Sequence, residues 1–224
     1  YKVTGIYQTQ ADINKDPVAA SANAAAPGSV QPGFFKYADL NHNGVRDAGD
    51  ETSLGSYLPT ATYGFNIYLS YHNFDFSVAC QGVAGNKILN LNRGEFLKAQ
   101  SAINLDKSFM EHLWTGPGST NAYPSAFALS QGWNKEDGGS SFVVESGAYL
   151  RIQNIQLGYN FKVGTTAPVG LGVLVTADRP FLFTKYTGFT PEISSSHGNP
   201  GAPGYDNQVY PVTATYSFGL RATF

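Results

Sequence analysis

The chain has 224 residues, with 14 Lys plus Arg against 16 Asp plus Glu and a formal net charge of −2. Charged residues make up 13%, aromatics 14% and hydrophobic residues 42%, which excludes a basic nucleic-acid surface and a wholly disordered chain. The one cysteine, Cys80, excludes an internal disulfide framework and a multi-cysteine metal site. No run approaches the ~18 apolar residues of a transmembrane helix. Two classes remain: a secreted β protein, or a β-barrel whose membrane signal is spread over alternating strands.

The chain opens on Tyr1-Lys2-Val3-Thr4-Gly5, without Met and without a charged region before an apolar stretch. This is expected of a processed chain or of a part of a longer one. The first chemically specific motif runs from Asp39 to Glu51. Asp39, Asn41 and Asn43 take positions 1, 3 and 5 of a calcium-loop pattern. Gly44 supplies the turn, Val45 a carbonyl at position 7 and Asp47 a carboxylate at position 9. Position 12 is Asp50, where the pattern has a bidentate Glu, and Glu51 follows one residue late. Oxygen donors at this spacing suit one hard cation, so a structural Ca²⁺ that rigidifies the loop is the expected cofactor. The alternative is a loop held by Asx turns alone. No helical pattern flanks it, so a calmodulin-like switch is not expected.

Strands follow. From about Thr60 to Tyr71, Tyr63, Phe65, Ile67, Leu69 and Tyr71 share one face. Phe74, Phe76, Val78 and Cys80 continue it after a tight His72-Asn73 hairpin. Residues 86 to 115 have the apolar content of a helix, through Leu89, Phe96, Leu97, Ile103, Phe109 and Leu113. Trp114 and Trp133 are candidates for sugar or partner contact, although buried anchoring is the commoner use of Trp. A third strand spans about Ala148 to Phe161, and a fourth about Leu171 to Thr184, which Pro180 is expected to break. The fifth runs from Val212 to Phe224, with Tyr216, Phe218, Leu220 and Phe224 on its apolar face.

Strands of about 12 to 14 residues exceed the usual ~5–6 of a soluble domain and suit a bilayer crossing. Short and long connections alternate, as they do when one set is periplasmic and the other extracellular. Residues 1–58 are then an extracellular segment, and 59–224 hold the strands, with long extracellular loops at about 84–147 and 185–209. The C-terminus falls in the periplasm. Five strands do not close a barrel, because open edges are costly in lipid. The competing reading is a secreted, calcium-stabilised β-sandwich that binds glycan or a surface.

No catalytic constellation stands out. His42, His72, His112 and His197 are scattered without helical i, i+4 spacing. Glu95, Glu111, Glu136 and Asp137 lie in the long middle loop, with nothing to pair any two of them. Cys80 reads as a small hydrophobe.

Several blocks resemble a known family. They include Tyr37-Ala38-Asp39-Leu40-Asn41-His42-Asn43-Gly44, Gly55-Ser56-Tyr57-Leu58-Pro59 and Thr62-Tyr63-Gly64-Phe65-Asn66. Gly147-Ala148-Tyr149-Leu150-Arg151-Ile152-Gln153-Asn154 and Tyr216-Ser217-Phe218-Gly219-Leu220-Arg221 match as well. The chain resembles the C-terminal portion of the SusC/RagA family, TonB-linked outer-membrane transporters of Bacteroidetes. Asp178-Arg179-Pro180 departs from the family pattern and bears on the fourth strand. The resemblance implies an all-β, antiparallel transmembrane barrel of about 22 strands, of which this chain holds the last five or so. It implies import of oligosaccharides or peptides rather than catalysis. The implied partners are a SusD-like surface lipoprotein as lid, TonB acting through a segment upstream, the lipid bilayer and the barrel-assembly machinery. Tyr216, Phe218, Leu220 and Phe224 resemble the signal that this machinery reads.

Overall fold

The computed structural model is built mainly of strands and describes residues 1–95, 107–128, 131, 133, 139–163, 169–193, 203–207 and 209–223. The first strands in chain order are β1 (Val3–Ile6), β2 (Phe35–Tyr37), β3 (Ala61–Tyr71), β4 (Phe74–Ala84) and β5 (Lys87–Asn90). The others are β6 (Val144–Ser146), β7 (Tyr149–Val163), β8 (Val169–Thr184), β9 (Tyr205–Asp206) and β10 (Thr215–Thr223). They belong to two units. One comprises Tyr1–Gly55, Ile88–Glu145 and Ser195–Gln208; the other comprises Ser56–Lys87, Ser146–Ser194 and Val209–Phe224.

The second unit is one antiparallel sheet in the order β10-β8-β7-β4-β3. Its register follows the period-2 pattern. Leu69 pairs with Phe76, Phe76 with Leu157, Leu157 with Val175, and Val175 with Phe218. A slip of one residue would move each apolar row to the opposite face. Leu69, Tyr71, Tyr216, Phe218 and Leu220 stand exposed on this apolar face. A β-sandwich buries such a face against a second sheet, whereas among the described residues this face is exposed. The polar rows are matched in the same way: Tyr68 pairs with Ser77, Ser77 with Gln156, Gln156 with Thr176, and Thr176 with Ser217. β3 and β10 are the two edges, so these strands form a segment of wall rather than a closed barrel.

Pro180 does not break the fourth strand. β8 runs through it from Val169 to Thr184 and absorbs it in a bulge. Pairing moves from Asn154↔Asp178 to Ile152↔Phe181, and Arg179 adopts φ 54. A proline has no N–H for the ladder, so the ladder skips it. β10 starts at Thr215 rather than Val212, because its partner there, Asp178, is where β8 leaves register.

In the first unit β1 pairs with β2. Between them lie two helices, α1 (Gln10–Lys15) and α2 (Pro17–Ala25). Thr9 and Asp12 form a reciprocal capping box at the start of α1. Asp16 then ends α1 and caps α2, whose first turn carries Pro17, where its missing N–H costs nothing. The core has two clusters. Ile6, Phe35, Tyr37, Leu113, Phe142 and Val143 form one. Tyr7, Ile13, Ala19, Val30, Phe34 and Ala128 form the other.

The helix expected over 86–115 is corrected. Lys87–Asn90 is the strand β5, and short helices follow at α3 (Leu91–Glu95) and α4 (Lys107–Met110). Residues 96–106 lie outside the described residues. The helix starts late because β5 pairs in parallel with β9, a partner more than a hundred residues away, and because Asn90 Oδ1 accepts from Arg93 N (3.1 Å).

Candidate functional site

On the polar face of the sheet, side chains from four strands connect into one network. The Asp75 carboxylate on β4 accepts the Tyr68 hydroxyl (3.0 Å), the Ser70 hydroxyl (2.9 Å) and the Asn160 amide (2.8 Å). Asn160 on β7 in turn accepts from Arg221 Nη2 on β10 (3.1 Å). Strand alternation places all five residues on one face, and register brings them level. Further along the same face Arg151, 3% exposed, pairs with Glu192 (2.8 Å). Gln81 also donates to Glu192 (3.4 Å), which ties the segment after β8 to β4 and β7. Asn154 donates to Asp178 (2.7 Å) beside the bulge. Sequence reading missed these residues. The signal was there: Asp75 in β4, Arg151 and Lys162 in β7 and Arg221 in β10 are the charged residues of these strands, and all stand at polar-face positions.

The Asp39–Glu51 loop is closed by its own hydrogen bonds. Asp39 accepts from the backbone N–H of Asn43 (3.2 Å) and Gly44 (2.9 Å). Asn41 Oδ1 accepts from Asn43 N, and Asn43 Oδ1 from Val45 N. Their Nδ2 groups donate to Asp47, at 3.2 and 2.8 Å. Asp47 also caps a short 3₁₀ turn, Ala48–Asp50. Asp50 is buried, and its two oxygens accept from Leu40 N (2.7 Å) and Asp47 N (3.2 Å). Positive φ at His42 (56°) and Gly44 (74°) turns the chain. The side chains offer the oxygen chemistry of a hard-cation site. Among the described residues, no three His, Cys, Asp or Glu gather closely enough to hold a metal without Asn or backbone oxygens.

Both tryptophans are half-buried anchors of the first unit. Trp114 Nε1 donates to Gln8 Oε1 (3.1 Å), and Trp133 Nε1 donates to Phe35 O (2.9 Å). The Arg46 guanidinium lies over the rings of Trp133 (3.9 Å), Tyr37 (4.8 Å) and Tyr1 (5.6 Å). Burial there lowers its pKa from the ordinary arginine value. Tyr216, Phe218 and Leu220 project from the apolar face of β10, while Phe224 lies outside the described residues.

No protein-family model matches the chain. A TonB-dependent receptor of Formosa agariphila is 33% identical over 206 residues, covering 86% of this chain and 20% of the receptor. The TonB-dependent receptor SusC of Bacteroides thetaiotaomicron is 29% identical over 192 residues, covering 84% and 17%. Among solved structures, the RagAB peptide importer in its closed-closed state superposes with a TM-score of 0.62 at 21% identity. That match covers 85% of this chain and 21% of the importer chain, and it shows the fold. This chain spans about a fifth of the length of the curated relatives it matches. Aligned sequence and a shared wall of antiparallel strands together fit a C-terminal fragment of the SusC/RagA family of TonB-dependent receptors.

Proposed function

We propose that the chain is part of the wall and extracellular face of a TonB-dependent outer-membrane importer for oligosaccharides or peptides. The observation that carries this reading is the sheet. One face is apolar and exposed across the strands, and the other is polar and hydrogen-bonded. Such a sheet separates lipid from a wet lumen. The reading places the C-terminus in the periplasm and the first unit outside the cell, where a SusD-like lipoprotein closes over the mouth. TonB acts through a segment upstream, and no bond of the cargo is broken. Tyr216, Phe218, Leu220 and Phe224 form the strand that the assembly machinery reads. A Ca²⁺ ion held by Asp39, Asn41, Asn43, Val45, Asp47 and Asp50 rigidifies the extracellular unit.

The test is uptake of labelled oligosaccharide and peptide pools by cells with and without the full-length receptor, and with TonB function removed. Uptake should require both, and a tagged lipoprotein from the adjacent locus should co-purify with the receptor. Recovery of the full-length protein in the soluble fraction, or uptake indifferent to its loss, overturns the reading.

A further inference from the structure

Within β7, Arg151 alone is buried, while Asn154, Gln156 and Asn160 on the same polar face stay half-buried. A bare sheet face does not bury one of its residues and spare the rest, so a cover lies over Arg151. Its neighbours in register, Gln81 of β4 and Leu182 of β8, stand level with it and do not supply that cover. The segment after β8 does. Glu192 Oε2 lies 2.8 Å from Arg151 Nη2, and Gln81 Nε2 donates to Glu192 Oε1 (3.4 Å). Residues 185–193 therefore turn back from the end of β8 onto the polar face, instead of running on in the strand direction.

The returning segment has a defined shape. Tyr186 and Thr190 are both buried. Thr184 Oγ1 accepts from Tyr186 N (3.1 Å) and donates to Ala148 O (2.9 Å), which fixes the turn beside the start of β7. The Tyr186 ring closes over Gly188, where any Cβ would collide with it. Thr190 Oγ1 accepts from Glu192 N (3.3 Å) and so places the carboxylate. Charge decides how firmly the segment is held. Among the described residues, Glu192 is the carboxylate that pairs with Arg151, and Arg151 Nε has no acceptor. Lifting Glu192 away would leave a buried guanidinium without a counter-charge, which is strongly unfavourable.

We propose that Arg151 and Glu192 form a latch that keeps residues 185–193 folded against the wall, so that the outer loop beginning there does not hang into the path of the cargo. The proposal rests on the importer reading above. The experiment follows trypsin cleavage after Lys185, which is exposed, in the full-length receptor in detergent. The readout is a fragment that begins at Tyr186. In wild type this cut should be slow, because the protease needs the flanking residues to open first. Glu192→Gln keeps the side-chain size and removes the charge. It should speed the cut about tenfold, lower receptor-dependent uptake by cells severalfold, and leave the heat-dependent gel shift of the barrel unchanged. If this variant fails to reach the membrane, Arg151→Gln together with Glu192→Gln leaves no buried charge unpaired and should give the same three results. A cut as slow in the neutral variants as in wild type overturns the latch. A faster cut accompanied by loss of the gel shift overturns it too, since the pair then holds the barrel rather than the segment. A faster cut with full uptake overturns its role in clearing the path. Uptake that is indifferent to the receptor defeats the importer reading instead, and the trypsin result still decides the latch.

Discussion

Asp50 is 1% exposed and belongs to a loop whose neighbours are mostly in water. Burial alone would raise its pKa, but backbone N–H groups of Leu40, Asp47 and Asn41 outweigh burial and hold it below the ordinary carboxylate value. A depressed folded pKa stabilises the loop fully above the unfolded value, near pH 3.9, and that stabilisation is lost as pH falls through the folded value. Asp50→Asn turns one acceptor into a donor that faces an N–H, at a cost of about 1–3 kcal/mol. Limited proteolysis of the full-length receptor between Asp39 and Glu51 should accelerate in this variant, and also in wild type at acid pH. If the loop holds Ca²⁺, millimolar ion should slow cleavage of wild type and a chelator should restore it. Cleavage unchanged by the substitution would show that the loop does not depend on this carboxylate. Cleavage indifferent to the ion would leave the Asx turns as its support.

At the scale of elements, β3, β4 and β7 meet at Gly82. Tyr63 lies over this glycine, and its hydroxyl reaches across to Tyr149 O (2.9 Å). A Cβ at position 82 would sit 2.3 Å from Tyr149 O and 2.6 Å from the Tyr63 ring, closer than real contacts allow. Gly82→Val should therefore disturb both ladders and cut the yield of folded receptor in the membrane. Tyr63→Phe removes one hydrogen bond, worth about 1 kcal/mol, and should lower only the temperature at which the barrel unfolds on a gel. Equal yields for both variants would contradict the close approach. The same contrast explains what the sequence made legible. Period-2 alternation marks the long strands, because each residue's face is a local property. The β8 bulge was not legible, since Pro180 argued for a break and only the partner strands show that the ladder can skip it. β5 was hidden by its distant partner β9. The Asp75–Asn160–Arg221 network joins residues 85 and 61 positions apart, so no local window contains it. The calcium-loop pattern was visible for the opposite reason, since all its oxygens fall within about a dozen consecutive residues.

For the molecule as a whole, the sheet has two unpaired edges and one large apolar face. Outward N–H and C=O groups of β3 and β10 need strand partners, because in hydrocarbon each orphan costs several kcal/mol. In water the exposed Phe, Tyr and Leu of the apolar face drive association instead. Neither solvent suits these five strands by themselves. Closed barrels of this kind resist detergent denaturation until heated, since all their ladder bonds are internal. The isolated 224-residue chain should therefore aggregate in buffer and migrate identically on a denaturing gel with or without boiling. The full-length receptor should show a heat-dependent shift. Adding back the upstream strands as a separate polypeptide, during refolding in detergent, should restore the shift by supplying partners to both edges. A boiling-dependent shift in the isolated chain would mean that β3 and β10 find each other, and that the wall closes without the rest.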